Sequence, residues 1–241
     1  MKKHELTDDT ITVGGRILHR IKALKSFSDV EEGDLGGYVE KEDNLNQSGN
    51  AWVYGNARVY GDARVSGNAQ VYGNARVYGD AWVYGDARVS GNAQAYGNAR
   101  VYGNARVYGD AWVYGNARVS ENARVYGDAW VSGDAWVCGN ARVSENAQVY
   151  GNARVYGNAR VYGDAWVSGE NDYTTAKGFG REYRTTTFFR LKDGGIGVRC
   201  GCFYGTLDEF RKKVKETHKE SKLGKEYLML ADLMEYKFKN E

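Results

Sequence analysis

Between Gly49 and Ser168 the chain repeats one six-residue phrase twenty times without a gap. The phrase is Gly-Asn/Asp-Ala-Arg/Trp/Gln-Val-Tyr/Ser, as in Gly55-Asn56-Ala57-Arg58-Val59-Tyr60. Every third position is Ala, and nineteen of the twenty fifth positions are Val, Ala95 being the exception. Self-similarity at so short a period demands units that stack only on their neighbours, which is a solenoid. In Ala-Arg-Val-Tyr, apolar and polar side chains alternate, the period of a strand with one buried face. Ala and Val point inward; Arg, Trp or Gln and the final Tyr or Ser point outward. Gly with Asn or Asp then turns the chain, because Gly has no Cβ and Asn and Asp tolerate positive φ. One edge and one corner per hexad close a triangular coil of about eighteen residues, and the hexads make between six and seven such coils. At ~4.8 Å per coil the rod is roughly 30 Å long.

The pattern extends backward in coarser form. Asp43-Asn44-Leu45-Asn46-Gln47-Ser48 supplies a turn and an inward Leu, and Gly37-Tyr38-Val39-Glu40 fits less closely. The chain thus divides into an N-terminal cap (1–36), a β-solenoid of about seven coils (37–168), a linker (169–180) and a C-terminal α+β domain (181–241). In the cap, Thr10–Val13 and Arg16–Ile21 flank Gly14-Gly15, a β-hairpin signal. In the C-terminal domain, Arg184–Leu191 and Ile196–Tyr204 flank Asp193-Gly194-Gly195 as a second hairpin. Thr206 and Glu209 form a capping box opening a helix with Leu207, Phe210 and Val214 on one face. A second helix, about Lys222–Lys239, carries Leu230, Leu233, Met234 and Phe238, giving a ββαα arrangement.

The repeat resembles the hexapeptide-repeat, left-handed parallel β-helix of acetyltransferase-like proteins, over residues 49–168. The resemblance implies the left-handedness and a mainly-β fold. It is closer still to uncharacterised bacterial β-solenoid proteins with Gly-Asn-Ala-Arg-Val-Tyr repeats, whose N-terminal segment is similar to Arg20–Lys25 followed by Gly33–Val39. The segment Gly201–Phe210 is similar to a short module of phage and prophage proteins. That likeness implies a phage-encoded protein acting on a host protein or defence complex, for instance as an inhibitor.

Charge and cysteines exclude little but point one way. The net charge is +2, distributed as −3 over 1–48, +2 over the repeats and +3 over 169–241, short of the excess expected of a dedicated nucleic-acid binder. The N-terminus lacks the apolar core of a signal peptide, no stretch is apolar enough for a membrane span, and Cys138, Cys200 and Cys202 make no disulfide framework. A cytoplasmic protein is the expectation. Two thiols at Cys200 and Cys202 with only His218 nearby are a poor metal site, and no metal or cofactor is expected.

If side chains eighteen apart stack, the outward positions sort into three columns. The first carries Trp52, Gln70, Arg88, Arg106, Arg124, Arg142 and Arg160, beside Tyr54, Tyr72, Tyr108, Tyr126 and Tyr162. Five successive Arg beside Tyr suit phosphate, carboxylate or an acidic protein, and Arg88, Arg106, Arg124, Arg142, Arg160, Tyr108 and Tyr126 are the expected binding residues. Against this stands a plain reading, in which Arg stems stack on Tyr with solvated heads. The second column carries Trp112, Trp130 and Trp166 beside an unbroken Tyr60, Tyr78, Tyr96 and Tyr114. It is read either as a contact surface, for a second copy among others, or as an aromatic ladder stabilising the sheet. The third, with Arg64, Trp82, Arg100, Arg118, Trp136 and Arg154, is mixed. Five of the six Trp follow Gly-Asp-Ala, which suggests a carboxylate accepting from an indole N–H.

The hexapeptide family's enzymes place a His general base or zinc-binding His on or beside the coils. Here the repeats contain no His; His4, His19 and His218 all lie in the flanks, and no loop interrupts the hexads. Fold alone does not carry function. The reading is a non-catalytic interaction protein with a protein partner, host-derived or a second copy of itself. The alternatives are an acyltransferase-like enzyme using His19 or His218, and nucleic-acid binding along the Arg ladder.

Overall fold

The structure is a computed structural model and describes residues 2–180 and 182–239; Met1, Arg181 and Glu241, which bound the expected domains, and Asn240 lie outside it. Strands β1 (His4–Val13), β2 (Arg16–Ala23) and β3 (Leu35–Val39) precede twenty two-residue strands, β4 (Trp52–Val53) to β23 (Trp166–Val167), one per hexad. Each hexad strand pairs in parallel with the one eighteen residues on, as Arg88 does with Arg106 and Val89 with Val107. Three sheets result, one per side of the coil. Inward Ala and Val are sealed from solvent along the whole rod. Corner glycines take positive φ, such as +72° at Gly85, and a Cβ there would meet the backbone N of Gly103 at 3.0 Å. Glycine is therefore required at the corner for conformation and for coil spacing alike. Two corners break the rule: Glu121 and Glu145 hold φ of 58° and 60°.

The turn side chains form ladders of their own. Asn74 Nδ2 donates to Asn92 Oδ1 at 3.3 Å, and Asn92 Nδ2 to Asp110 Oδ1 at 2.9 Å, one coil per step. Asn116 and Asp134 repeat the motif at 2.9 Å. In three of the five Gly-Asp-Ala-Trp hexads, at Asp110, Asp134 and Asp164, the Asp thus accepts from an Asn amide one coil back. The one described indole hydrogen bond runs from Trp136 Nε1 to Ser120 Oγ at 2.9 Å, so the suggested indole–carboxylate pairing is replaced.

Ala95 lies in register between Val77 and Val113 with no solvent exposure. Ala95→Val should raise stability by about 1.5 kcal/mol, since it adds two buried carbons at ~0.8 kcal/mol each. A lower urea midpoint for the variant would show that this layer is already full.

Both ends are capped, and the caps match the ladder's polarity. Toward the N-terminus the coil presents unpaired carbonyls at its first and third hexad positions. Donor side chains meet them: Lys3 Nζ donates to Ala51 O at 2.9 Å, and Asn44 Nδ2 to Gly61 O at 3.0 Å and Ala63 O at 2.8 Å. Toward the C-terminus the coil presents N–H groups, and acceptors meet those. Arg160 N donates to Thr187 Oγ1 at 2.9 Å, Tyr156 N to the Tyr173 hydroxyl at 3.4 Å, and Ser168 N to Asp172 Oδ2 at 2.8 Å. Every open ladder otherwise leaves such groups to water or to another chain.

At the N-terminal end the β1–β2 hairpin turns through Gly14 and Gly15, both at positive φ, as its sequence predicts. β2 pairs antiparallel with β3, and β3 pairs in parallel with β5 (Arg58–Val59), so Leu35–Val39 already belongs to the first coil. Leu45 bridges to Val65 and is fully buried, as expected of the coarse hexad. Trp52, outward by register, is not on a free surface: it is 1% exposed, edge-on to His4 at 6.2 Å and to Phe27 at 5.5 Å.

The C-terminal domain is a four-stranded antiparallel sheet, β24 (Tyr173–Phe179), β25 (Arg184–Arg190), β26 (Ile196–Cys200) and β27 (Phe203–Thr206), with helices α1 (Leu207–His218) and α2 (Lys222–Lys239). The ββαα reading gains two strands. The span 169–180, expected as a linker, contains β24, where Tyr173, Thr174 and Thr175 favour strand and pair with β25. The expected strand over 196–204 splits, because Gly201 turns at φ +59°. The capping box forms as read: Glu209 N donates to Thr206 Oγ1 at 3.3 Å and Thr206 N to Glu209 Oε2 at 2.8 Å. Of the apolar residues of α2, Leu230, Met234 and Phe238 are buried and Leu233 faces outward. Phe189 and Leu191 close the solenoid core, while Phe188 and Val198 pack on the helices.

Candidate binding faces

The Arg face is built by the register itself. Arg88, Arg106, Arg124, Arg142 and Arg160 are successive partners in one sheet, so their side chains leave the same wall about 4.8 Å apart. Arg88 and Arg106 are exposed, and Arg124, Arg142 and Arg160 are half-buried. Tyr72, Arg88, Ser90, Arg106, Tyr108 and Arg124 border a shallow groove of about 210 Å³. Tyr108 and Tyr126 stack on each other, ring centroids 4.9 Å apart and planes within 2°. Among the described residues, none of the five arginines forms an ion pair with a carboxylate, whereas Arg154 on another face reaches Glu170 at 3.8 Å. Five like charges are held in a line, and at its start Arg88 helps to hold the Asp29 carboxyl low.

The ladder does not stop with the repeats. The guanidinium of Arg199, on β26, sits 4.7 Å over the ring of Tyr162, beside Arg160. Burial lowers the Arg160 pKa, and the charges of Arg142, Arg199 and Arg184 lower it further. Single-sequence reasoning missed Arg184 and Arg199, because only the docking of the C-terminal sheet brings them to this face. The sole hint was the +3 charge of residues 169–241.

On the aromatic face, Tyr60, Tyr78, Tyr96 and Tyr114 stack at 5.0, 4.8 and 5.0 Å with planes within 3°. Trp112 and Trp130 stack at 5.4 Å, and Trp166 lies against Tyr150 at 6.0 Å. Ring faces are thus spent on one another, and a ligand meets edges and hydroxyls. This geometry favours the sheet-stabilising ladder over a stacking platform. Burial raises the Tyr78 hydroxyl to about 12, with Tyr60 and Tyr96 adding to it. On the third face, Trp82 is flanked by Arg64 at 5.5 Å and Arg100 at 5.9 Å. Cys138 is half-buried there, and its thiol is pushed up by burial and by Glu121, the opposite of an activated nucleophile.

A cavity of about 560 Å³ lies where the last coil meets the C-terminal sheet, bordered by Asp164, Leu191, Lys192, Asp193, Tyr204 and Glu209. Neither His19 nor His218 reaches it: His19 Nδ1 lies 3.0 Å from Thr7 O, and the His218 ring packs on Tyr227 at 5.7 Å. Among the described residues, no three His, Cys, Asp or Glu side chains gather as a group able to hold a metal ion, and no helix is long and apolar enough to cross a membrane.

Twelve overlapping stretches, running from residue 51 to residue 169, match the family described as the YdcK β-solenoid repeat. That description gives a repeat and assigns no activity. No curated protein matches the chain. Register, buried Ala-Val core and matching stretches agree: the chain is a β-solenoid repeat protein whose coils from 51 to 169 are similar to the YdcK repeat.

Proposed function

We propose that the protein is a non-catalytic binding protein that holds an acidic protein partner along its Arg face. The observation that carries this reading is the row of five in-register arginines without ion pairs among the described residues. Stacking like charges is unfavourable, and an external row of carboxylates relieves it with charge-assisted hydrogen bonds. A rigid wall places the guanidiniums without further loss of backbone entropy, so little ordering opposes association. Single-stranded nucleic acid is a weaker fit, because Tyr108 and Tyr126 cover each other's faces and leave no platform for bases.

The triple variant Arg106→Ala, Arg124→Ala, Arg142→Ala should bind a polyglutamate peptide at least about tenfold more weakly than the unmodified chain, with an unchanged thermal midpoint. Binding should also weaken with added salt. Equal affinity of the two proteins would end the Arg-face reading. Binding of an oligonucleotide but not of the acidic peptide would move the function to nucleic acid.

A further inference from the structure

At the junction between the last coil and the C-terminal sheet, the charges of Arg142, Arg199 and Arg184 all reach Arg160. Arg142 and Arg160 are register partners, and Arg160 N donates to Thr187 Oγ1 at 2.9 Å. Thr187 is in turn the register partner of Arg199. The Arg199 guanidinium lies 4.7 Å over the Tyr162 ring and also donates from Nη1 to Cys202 O at 3.1 Å. Arg184 packs at the same turn, with its Nη1 2.8 Å from where a Gly201 Cβ would stand. The carboxylates at the junction are Glu145, whose Oε1 accepts from the Tyr162 hydroxyl at 2.7 Å, Asp164 and Glu209, which with Glu145 help to raise the Tyr204 hydroxyl, and Glu182, 4.0 Å from Arg184.

A second feature marks this place as built. Glu145 occupies a left-handed corner, φ 60°, where eighteen of the twenty hexads carry Gly. A non-Gly residue there is strained. What Glu145 gains is the hydroxyl of Tyr162, the ring on which Arg199 rests. Glu145, Tyr162 and Arg199 form a chain of supports that aims a guanidinium from the C-terminal domain at the end of the ladder. One carboxylate suffices for one rung. Several guanidiniums gathered at one junction call for a group with two charges and several acceptor oxygens, and arginine's fork matches such a group.

We propose that this junction is a binding site for a phosphate-type dianion, held by Arg160 and Arg199 with Arg142 and Arg184 alongside. The proposal rests on the Arg-face reading for its setting, but it makes a separate claim: one end of the face selects a tetrahedral dianion over a carboxylate.

The test follows the arginine Nε–Hε resonances of the full chain during titration with inorganic phosphate and, separately, with acetate. Phosphate should shift Arg160 and Arg199 with a dissociation constant of about 1 mM or below, and acetate should bind at least about tenfold more weakly. Arg199→Gln should weaken phosphate binding by about tenfold, the worth of one charged contact, while Arg118→Gln, exposed on the third face, leaves it unchanged. Circular dichroism confirms that both variants stay folded. A phosphoserine-containing acidic peptide forms the second arm. Tighter binding than inorganic phosphate assigns the dianion to a partner's side chain, and equal binding assigns the site to free phosphate. Absence of any shift, equal response to phosphate and acetate, or indifference to Arg199→Gln would overturn the site. If instead all five ladder arginines titrate together and alike, the junction site falls while the Arg-face reading stands. Polyglutamate binding, which does not involve the phosphate probe, decides that reading on its own.

Discussion

Trp52→Ala should cost about 3–5 kcal/mol and detach the N-terminal cap, because a buried indole leaves a large cavity when removed. Trp52 is almost wholly buried although its hexad position faces outward. Its indole is what the cap folds onto: His4 and Phe27 meet it edge-on, and Lys3 Nζ sits 5.2 Å from the Phe27 ring centroid. Without it, both ring contacts are lost together, and with them the support of the Phe27 ring under the Lys3 ammonium. A solenoid unfolds from its ends, since each coil contacts only its neighbours. The loss should therefore be local. Hydrogen exchange should quicken over residues 3–30 and the first coil, while amides near Val107 remain protected. Uniform acceleration along the rod would show that the solenoid unfolds as one unit, and no acceleration would show that Trp52 is dispensable to the cap.

The second large effect is an acid sensitivity seated in the same cap. Burial pushes the His4 imidazole down to about 4, helped by the charges of Lys3 and Lys2 and opposed by Glu42. Its Nδ1 is buried and has no hydrogen-bond partner among the described residues. In the unfolded chain the group titrates near 6.5. Between these values the unfolded state binds a proton that the folded state refuses, so stability is complete above 6.5 and falls as pH drops toward 4. The loss should reach about 2 kcal/mol at pH 5 and about 3 kcal/mol at pH 4, at ~1.4 kcal/mol per pH unit. Urea midpoints of the native chain and of His4→Gln, measured at pH 7 and pH 5, should converge in the acid sample. The carboxylates held low by their partners, Asp29, Glu40 and Glu42, lose their contribution only below about 4.5, outside the window from pH 7 to pH 5. Parallel loss in both proteins would place the sensitivity elsewhere. Lys3 works in the opposite range. Burial, with Lys25 second, lowers it to about 8, so stability should rise between pH 8 and 10.5 as the folded state sheds that proton.

The coil was legible because each of its demands is local. Alternation decides which side chains turn inward, the corner needs positive φ, and the eighteen-residue register follows from three hexads per turn. Hence the columns from Arg88 to Arg160 and from Tyr60 to Tyr114 stand where the spacing puts them. What escaped was set by the flanks. Trp52 reads as outward until the cap covers it, and β24 sits in a turn-rich stretch whose strand character comes from pairing with β25. Arg199 joins the Arg face only because Phe189 and Leu191 seat the C-terminal sheet on the last coil. Such long-range placements leave no periodic trace in a single sequence.

The matched caps also impose a counting rule on the lineage of such a protein. The N-terminal lid is seated on one particular side of the triangle, and the C-terminal sheet on another. A duplication or loss of three hexads changes the rod's length and leaves both ends facing as before. A change of one or two hexads turns the far end onto a different wall, strips Thr187 and Asp172 of the amides they accept from, and swings Arg199 away from its row. Growth of the rod is thus free in whole turns and penalised in fractions, so descendants of one ancestor should differ in length by whole multiples of a coil.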